Sequence, residues 1–218
     1  MLARRSVGQK ALADLYATGR RAKDPVSVAH KIEQIAREPG RLVGVPATTA
    51  LTMAAELCHQ HGAIAEALRL VELALAVREP GDDRPSAPAL RAVLLVQSGA
   101  RDDGMKLLEE LRPEMSTSFE AATVVPEALE QIGETHRAIE WLTAAVHDVS
   151  PRALGDDPDP IDAQLMSVLV ASRSRLRASL GLPPDHLDVL ASPSAHTDQH
   201  GDAGDGGSGA RKLGRIAL

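Results

Sequence analysis

Apolar residues recur at three- and four-residue spacing through most of residues 5–181. That period predicts amphipathic helices rather than strands. Gly and Pro punctuate the pattern into segments. Three of the breaks share the form Gln-x-Gly: Gln60-His61-Gly62, Gln97-Ser98-Gly99 and Gln131-Ile132-Gly133. Their glycines are 37 and 34 residues apart. Each break lies between two apolar helical stretches, so each predicts an antiparallel helix pair whose Gly turns left-handed where the first helix stops. Two acidic, Pro-containing stretches, 79–83 and 156–160, predict loops, with Pro160 opening the next helix. From Ala191 the periodicity is lost and six glycines follow, which predicts a disordered carboxyl-terminal tail over 191–218.

The best-formed unit is TTALTMAAELCHQHGAIAEALRLVELALAVREPG, residues 48–81. Gly62 sits at its turn, Ala67 follows five residues later and Ala74 seven after that, Ala55 takes a small position in the first helix, and Pro80 closes the unit. Small residues at such positions let helix axes approach to about 8–10 Å. Gly133, Ala138 and Ala145 repeat the intervals, with Pro151 read as the closing residue. In the middle copy Gly99, Gly104 and Leu111 keep the spacing, but Arg91 stands where an apolar residue is expected. Pro88 and Pro126 fall within the expected first helices of the second and third copies, so those helices start late or Pro126 kinks its own.

These residues resemble the tetratricopeptide repeat (TPR), a 34-residue helix–turn–helix unit, over 48–151. The resemblance implies an all-α fold: a right-handed superhelix of antiparallel helix hairpins. The organisation expected is a basic helical segment over 1–47, three TPR-like repeats over 48–151, an acidic loop and capping helix over 152–190, and the tail. Within the first segment, residues 5–37 read as a further, divergent helix pair with Gly19 near its turn. The capping helix, 160–181, carries Ile161, Leu165, Leu169, Leu176 and Leu180 on or near one face, and Gly181 with Pro183 and Pro184 stops it. Another helical-repeat or bundle form is the alternative.

Composition narrows the function classes. Aromatic residues are 1% of the chain: Phe119, Trp141 and Tyr16, one of each kind. Ala occurs 35 times, Leu 28 times and Asn never. A core of Ala, Leu, Val and Ile suits close-packed helices and suits a β-sandwich poorly. Nucleic-acid modules that stack bases on several aromatics are excluded. The formal charge is −6. Residues 1–23 hold six basic residues against Asp14, a local +5, which leaves −11 for the rest. That balance argues against a broad nucleic-acid footprint, and the basic end reads as a solvated face. The amino end looks somewhat like a mitochondrial presequence, but the bias to Ala, Arg, Gly, Asp and Pro points to a GC-rich bacterial coding sequence. Cys58 is the only cysteine, which excludes an internal disulfide and a cysteine-based zinc cluster and fits a cytoplasmic setting. No apolar run approaches the ~18–20 residues of a membrane span.

Under the resemblance, the first helix of each pair lines a concave groove. The lining is then Thr49, Thr52, Glu56, His59 and Gln60, followed by Ser86, Ala89, Val93, Val96 and Gln97, and then Glu120, Thr123, Glu127, Glu130 and Gln131. This is a groove with three amides in register, an apolar middle and an acidic end. Amides both donate and accept, so they can pair with an extended peptide backbone. Glu127 and Glu130 favour a ligand bearing Lys or Arg. Carboxylate-clamp TPRs need Asn with Lys and Arg, and the expected groove has none of these. Cys58, His59 and His61 are spaced one and two apart and do not share a helix face, so a metal site is not expected there. His196 and His200, with Asp198 and Asp202, have better spacing but lie in the tail. No nucleophile or phosphate-loop motif is present, and Asp102, Asp103, Glu109 and Glu110 read as a solvated face. Arg173, Arg175 and Arg177 are expected to pair with the acidic loops, and Arg211–Leu218 is a basic and apolar candidate docking motif. The expectation is a non-enzymatic protein-interaction adaptor of a bacterial cytoplasm. It would bind a protein or peptide, a basic one favoured, without cofactor, nucleic acid or membrane span. The alternative is a regulatory sensor binding a small molecule or short peptide in a helical pocket.

Overall fold

The computed structural model describes residues 6–189. The tail, with His196, His200 and the Arg211–Leu218 motif, lies outside the described residues. The described chain is mostly helical: α1 (Gln9–Gly19), α2 (Pro25–Arg37), α3 (Ala47–Gln60), α4 (Ile64–Ala76), α5 (Ser86–Gln97), α6 (Arg101–Leu111), α7 (Phe119–Gln131), α8 (Thr135–Ala153), α9 (Pro160–Ser179) and α10 (His186–Val189). A 3₁₀ turn, Arg112–Ser116, separates α6 from α7. Strand content is small. Strands β1 (Val7–Gly8) and β2 (Leu42–Val43) pair in parallel, Val7 opposite Leu42, and tie the segment after α2 to the start of α1.

The three Gln-x-Gly breaks fall at three equivalent corners. Gln60, Gln97 and Gln131 are the last residues of α3, α5 and α7. Gly62, Gly99 and Gly133 have φ of +75°, +99° and +81°. At each corner the Gly N–H donates to the carbonyl three residues back, and the next N–H donates to the carbonyl five back. Gly62 reaches His59 at 3.0 Å and Ala63 reaches Cys58 at 2.9 Å; Gly133 reaches Glu130 at 3.0 Å and Glu134 reaches Leu129 at 2.8 Å. The pattern satisfies carbonyls that the helix end would leave unpaired. The following helix then folds back: α3 packs on α4, α5 on α6, and α7 on α8. Helices α1, α3, α5, α7 and α9 also touch one another in that order.

The interior is built from short side chains. Ala50, Ala54, Ala55, Ala67, Ala74, Ala121, Ala122 and Ala138 are all fully enclosed, among Leu57, Leu70, Leu94, Leu129 and Leu142. Two buried clusters result. One joins α1 to α4 with Ala87, Leu90 and Leu94 of α5. The other runs from Ala89, Ala92 and Val93 of α5 to Leu187 in α10. Helices α5 and α6 pack tightly at Gly104, where an added Cβ would lie 2.6 Å from the Ala92 carbonyl oxygen and 2.7 Å from a Val96 methyl.

Proline placement corrects part of the sequence reading. Pro88 lies in the first turn of α5, which starts at Ser86, so that helix does start late. Pro126 is buried within α7, and the helix continues past it to Gln131. Pro151 does not close the third unit: α8 carries it and continues to Ala153, whose side chain is buried. On α9 the buried face is Leu165, Met166, Leu169, Val170, Arg173 and Leu176, whereas Ile161 and Leu180 are exposed.

Arg173 and Arg177 do not pair with the acidic loops. Those loops use their acids locally: Asp82 holds Arg84 at 2.6 Å, and Asp159 accepts the Ile161 N–H at 2.8 Å. The buried Arg173 guanidinium instead donates to Asp185 at 2.5 and 2.9 Å, to Asp188 at 2.6 Å and to the Thr143 hydroxyl at 2.9 Å. Arg177 adds 3.2 Å to Asp188. Arg173 holds the Asp185 carboxyl well below the usual carboxylate range. Burial pushes Asp188 up, but the Asp185 N–H, the Ser174 hydroxyl and Arg173 together bring it below its ordinary value.

Two outcomes follow. Arg173→Met leaves two carboxylates short of their partner and should cost about 3 kcal/mol in urea unfolding at neutral pH. Because both carboxylates are depressed in the folded state, that contribution is present above about pH 4 and is lost as pH falls through the folded values. The gap between wild type and variant should therefore narrow in acid. Gly104→Ala should cost about 2 kcal/mol by overpacking against backbone, against about 1 kcal/mol for Gly62→Ala, where only the left-handed φ resists.

Candidate functional site

Residues three and four apart share a helix face. On α3 these are Glu56, His59 and Gln60; on α5, Ser86, Ala89, Leu90 and Val93; on α7, Val124, Glu127, Ala128 and Gln131. Side-by-side contact of the three helices brings these faces around one open cavity of about 420 Å³. A second hollow of about 220 Å³ continues it along Thr48, Thr49, Thr52, Met53, Arg84, Ala87 and Glu120, and shares Glu56 and Ser86 with the first. The floor is apolar, with Ala89, Leu90, Val93 and Ala128 buried. Gln60, Glu127 and Gln131 are exposed at the rim.

Of the fifteen residues expected to line the groove, Glu56, His59, Gln60, Ser86, Ala89, Val93, Glu127 and Gln131 line this cavity, and Thr49, Thr52 and Glu120 line the second hollow. Val96, Gln97, Thr123 and Glu130 line neither. Val96 packs beside Gly104 of α6. The Gln97 amide oxygen lies 2.9 Å from His59 Nε2. Glu130 accepts both ends of the Arg175 guanidinium, at 2.9 and 3.1 Å, and so faces α9. The expected row of three amides is broken for the same reason. Gln60 donates to the Tyr16 hydroxyl at 3.0 Å, Gln97 engages His59, and Gln131 makes no side-chain hydrogen bond among the described residues. Thr49 accepts from Arg84, the Ser86 hydroxyl donates to Glu120, and the exposed Thr123 donates to the Phe119 carbonyl at 2.9 Å.

Two contributors were not anticipated. Tyr16 reaches over from α1 and donates to Glu56 Oε2 at 3.3 Å, completing a chain from Gln60 through Tyr16 to Glu56. As the sole tyrosine on a helix pair already expected to extend the array, it had a legible signal. Arg84 enters the second hollow from the loop before α5, fixed by Asp82, so the groove is not free of basic groups. A loop residue carries no periodicity by which to place it.

The electrostatics are those of crowded carboxylates. Burial pushes the Glu56 carboxyl up and the charge of Glu127 adds to the rise, while the Tyr16 hydroxyl pulls it back. Burial likewise raises the Tyr16 phenol, with Glu56 contributing. Glu127 makes no hydrogen bond or ion pair among the described residues. Two acids over an apolar floor, one of them unpaired, can hold a cationic group whose stem is apolar.

Cys58 is fully enclosed, and burial pushes its thiol up to about 11. A different cluster, His30, Glu33 and Glu66, places one donor atom each within 4.8 Å on α2 and α4, away from the groove. Arg69 already spans both carboxylates, at 2.6 Å to Glu33 and 2.7 Å to Glu66, and its hydrogen bonds hold Glu66 down to about 2. The guanidinium thus supplies the positive charge these carboxylates need.

No family model, curated protein or solved structure matches the chain.

Tyr16→Phe should raise the pKa of Glu56 and Glu127→Gln should lower it, since the first removes a donor to the carboxylate and the second a like charge. A carbon-13 NMR titration of the Glu56 carboxyl reads both signs.

Proposed function

We propose that this chain is a non-enzymatic, TPR-like interaction module that holds a basic peptide, or a basic segment of a partner protein, in the α3–α5–α7 groove. One observation carries this reading. Glu127 makes no hydrogen bond or ion pair among the described residues, feels only the more distant charge of Arg175, and stands beside the partly desolvated Glu56, above a floor of Ala, Leu and Val. An incoming Lys or Arg would relieve the repulsion between the two carboxylates and lay its stem on that floor. Gln131 and the exposed amide of Gln60 would meet the ligand backbone.

The superhelical reading is supported by three like corners at Gly62, Gly99 and Gly133 and by the succession of contacts from α1 to α9. A lone, enclosed cysteine suits the cytoplasm we propose for it. No helix among the described residues is long and apolar enough to cross a membrane.

A sensor reading has its own support. The larger hollow, about 420 Å³, falls in the range of small-molecule sites. Its ligand would be a small organic cation, because the same two acids would receive it.

Displayed random peptides selected on the full chain should be enriched in Lys or Arg flanked by apolar residues. Glu127→Gln should weaken the selected peptides about tenfold in fluorescence anisotropy. Selection of acidic peptides, or affinity indifferent to Glu127, would end the reading. Spermidine binding by calorimetry without any peptide enrichment would transfer it to the sensor.

A further inference from the structure

We propose that the chain's own segment Arg211–Leu218 occupies the groove in the resting protein and must be displaced by an external ligand. The inference rests on the peptide-binding reading above and adds the identity of the first occupant.

Charge complementarity is the first argument. The segment carries Arg211, Lys212 and Arg215 with no acid, interleaved with Leu213, Ile216 and Leu218. The groove offers Glu56 and Glu127 above Ala89, Leu90 and Val93. A cation every few residues between apolar side chains is the pattern that two rim carboxylates over an apolar floor select.

Position is the second argument. The Asp188 carboxylate accepts from the Ser174 hydroxyl at 2.9 Å, which fixes α10 against α9. The next residue, Arg175, lies 2.9 Å from Glu130, next in sequence to the groove residue Gln131. Neighbouring residues of α9 thus contact α10 and α7, the helix that carries Glu127 and Gln131. The 21 residues from 190 to 210 can span up to ~70 Å. Gly/Ser-rich linkers of that length average about 25 Å. A tether matched to its span raises the local concentration of its end to the millimolar range, so modest affinity suffices for occupancy.

The test uses the full chain with a nitroxide on Ser208→Cys. Cys58 is enclosed and its raised thiol does not compete for the label. The amide resonances of Glu56, Val93 and Glu127 should broaden, and the variant with Arg211→Glu, Lys212→Glu and Arg215→Glu should restore them. A free peptide of residues 210–218 should bind that variant about tenfold more tightly than it binds the wild-type chain. Glu127→Lys, at an exposed position that should not disturb folding, should abolish the broadening by itself. The proposal falls if the groove resonances stay sharp. It also falls if they broaden only when labelled and observed copies are mixed, which would make the occupant a second chain. If the charge-reversed chain binds displayed basic peptides but shows no gain for peptide 210–218, self-docking is overturned while the groove reading stands. If no basic peptide binds any of the chains, both fall.

Discussion

Short side chains can exclude water only when the backbones that carry them come close together. This chain has one Trp, one Phe and one Tyr, and of these only Trp141 is fully within the core. Alanine supplies 15 of the 42 buried apolar residues among those described, and at Gly104 even a methyl group would collide with the Ala92 carbonyl. Helices this close need abrupt corners. An abrupt corner in turn needs a residue that tolerates positive φ, which Gly62, Gly99 and Gly133 supply. The dimensions of the groove follow from that spacing.

Most of the scaffold could be read in advance because it depends on local rules. The corners announce themselves through Gly, and the faces through a three-and-four period. Eight of the fifteen residues expected from that period together with the TPR resemblance line the main cavity. Three of the misses share a cause. Gln97, Glu130 and Arg173 are long polar side chains whose partners, His59, Arg175 and Asp185, sit on other elements. Periodicity tells which way a Cβ points and says nothing about where a flexible head group ends. Pro151 failed differently: α8 runs through it to Ala153, where a proline would be expected to stop the helix.

Charge is partitioned by the same architecture. Arginines from neighbouring elements tie down acids: Arg69 with Glu33 and Glu66, Arg91 with Glu72, Arg152 with Asp162, and Arg175 with Glu130. Such pairs contribute little each when exposed, and none of them uses Glu56 or Glu127. The acids left over on the groove are therefore conspicuous in a chain that carries excess negative charge.

Helix α5 gives Ala87, Leu90 and Leu94 to one buried cluster and Ala89, Ala92 and Val93 to the other. It is the party wall of the molecule. Arrays whose neighbours touch only neighbours distribute their cooperativity along one dimension, so each half has a measure of independence and α5 is where they are obliged to agree. The cavity is floored by that same helix. A ligand seated there would bear on the junction between the halves and report on, or enforce, their mutual alignment.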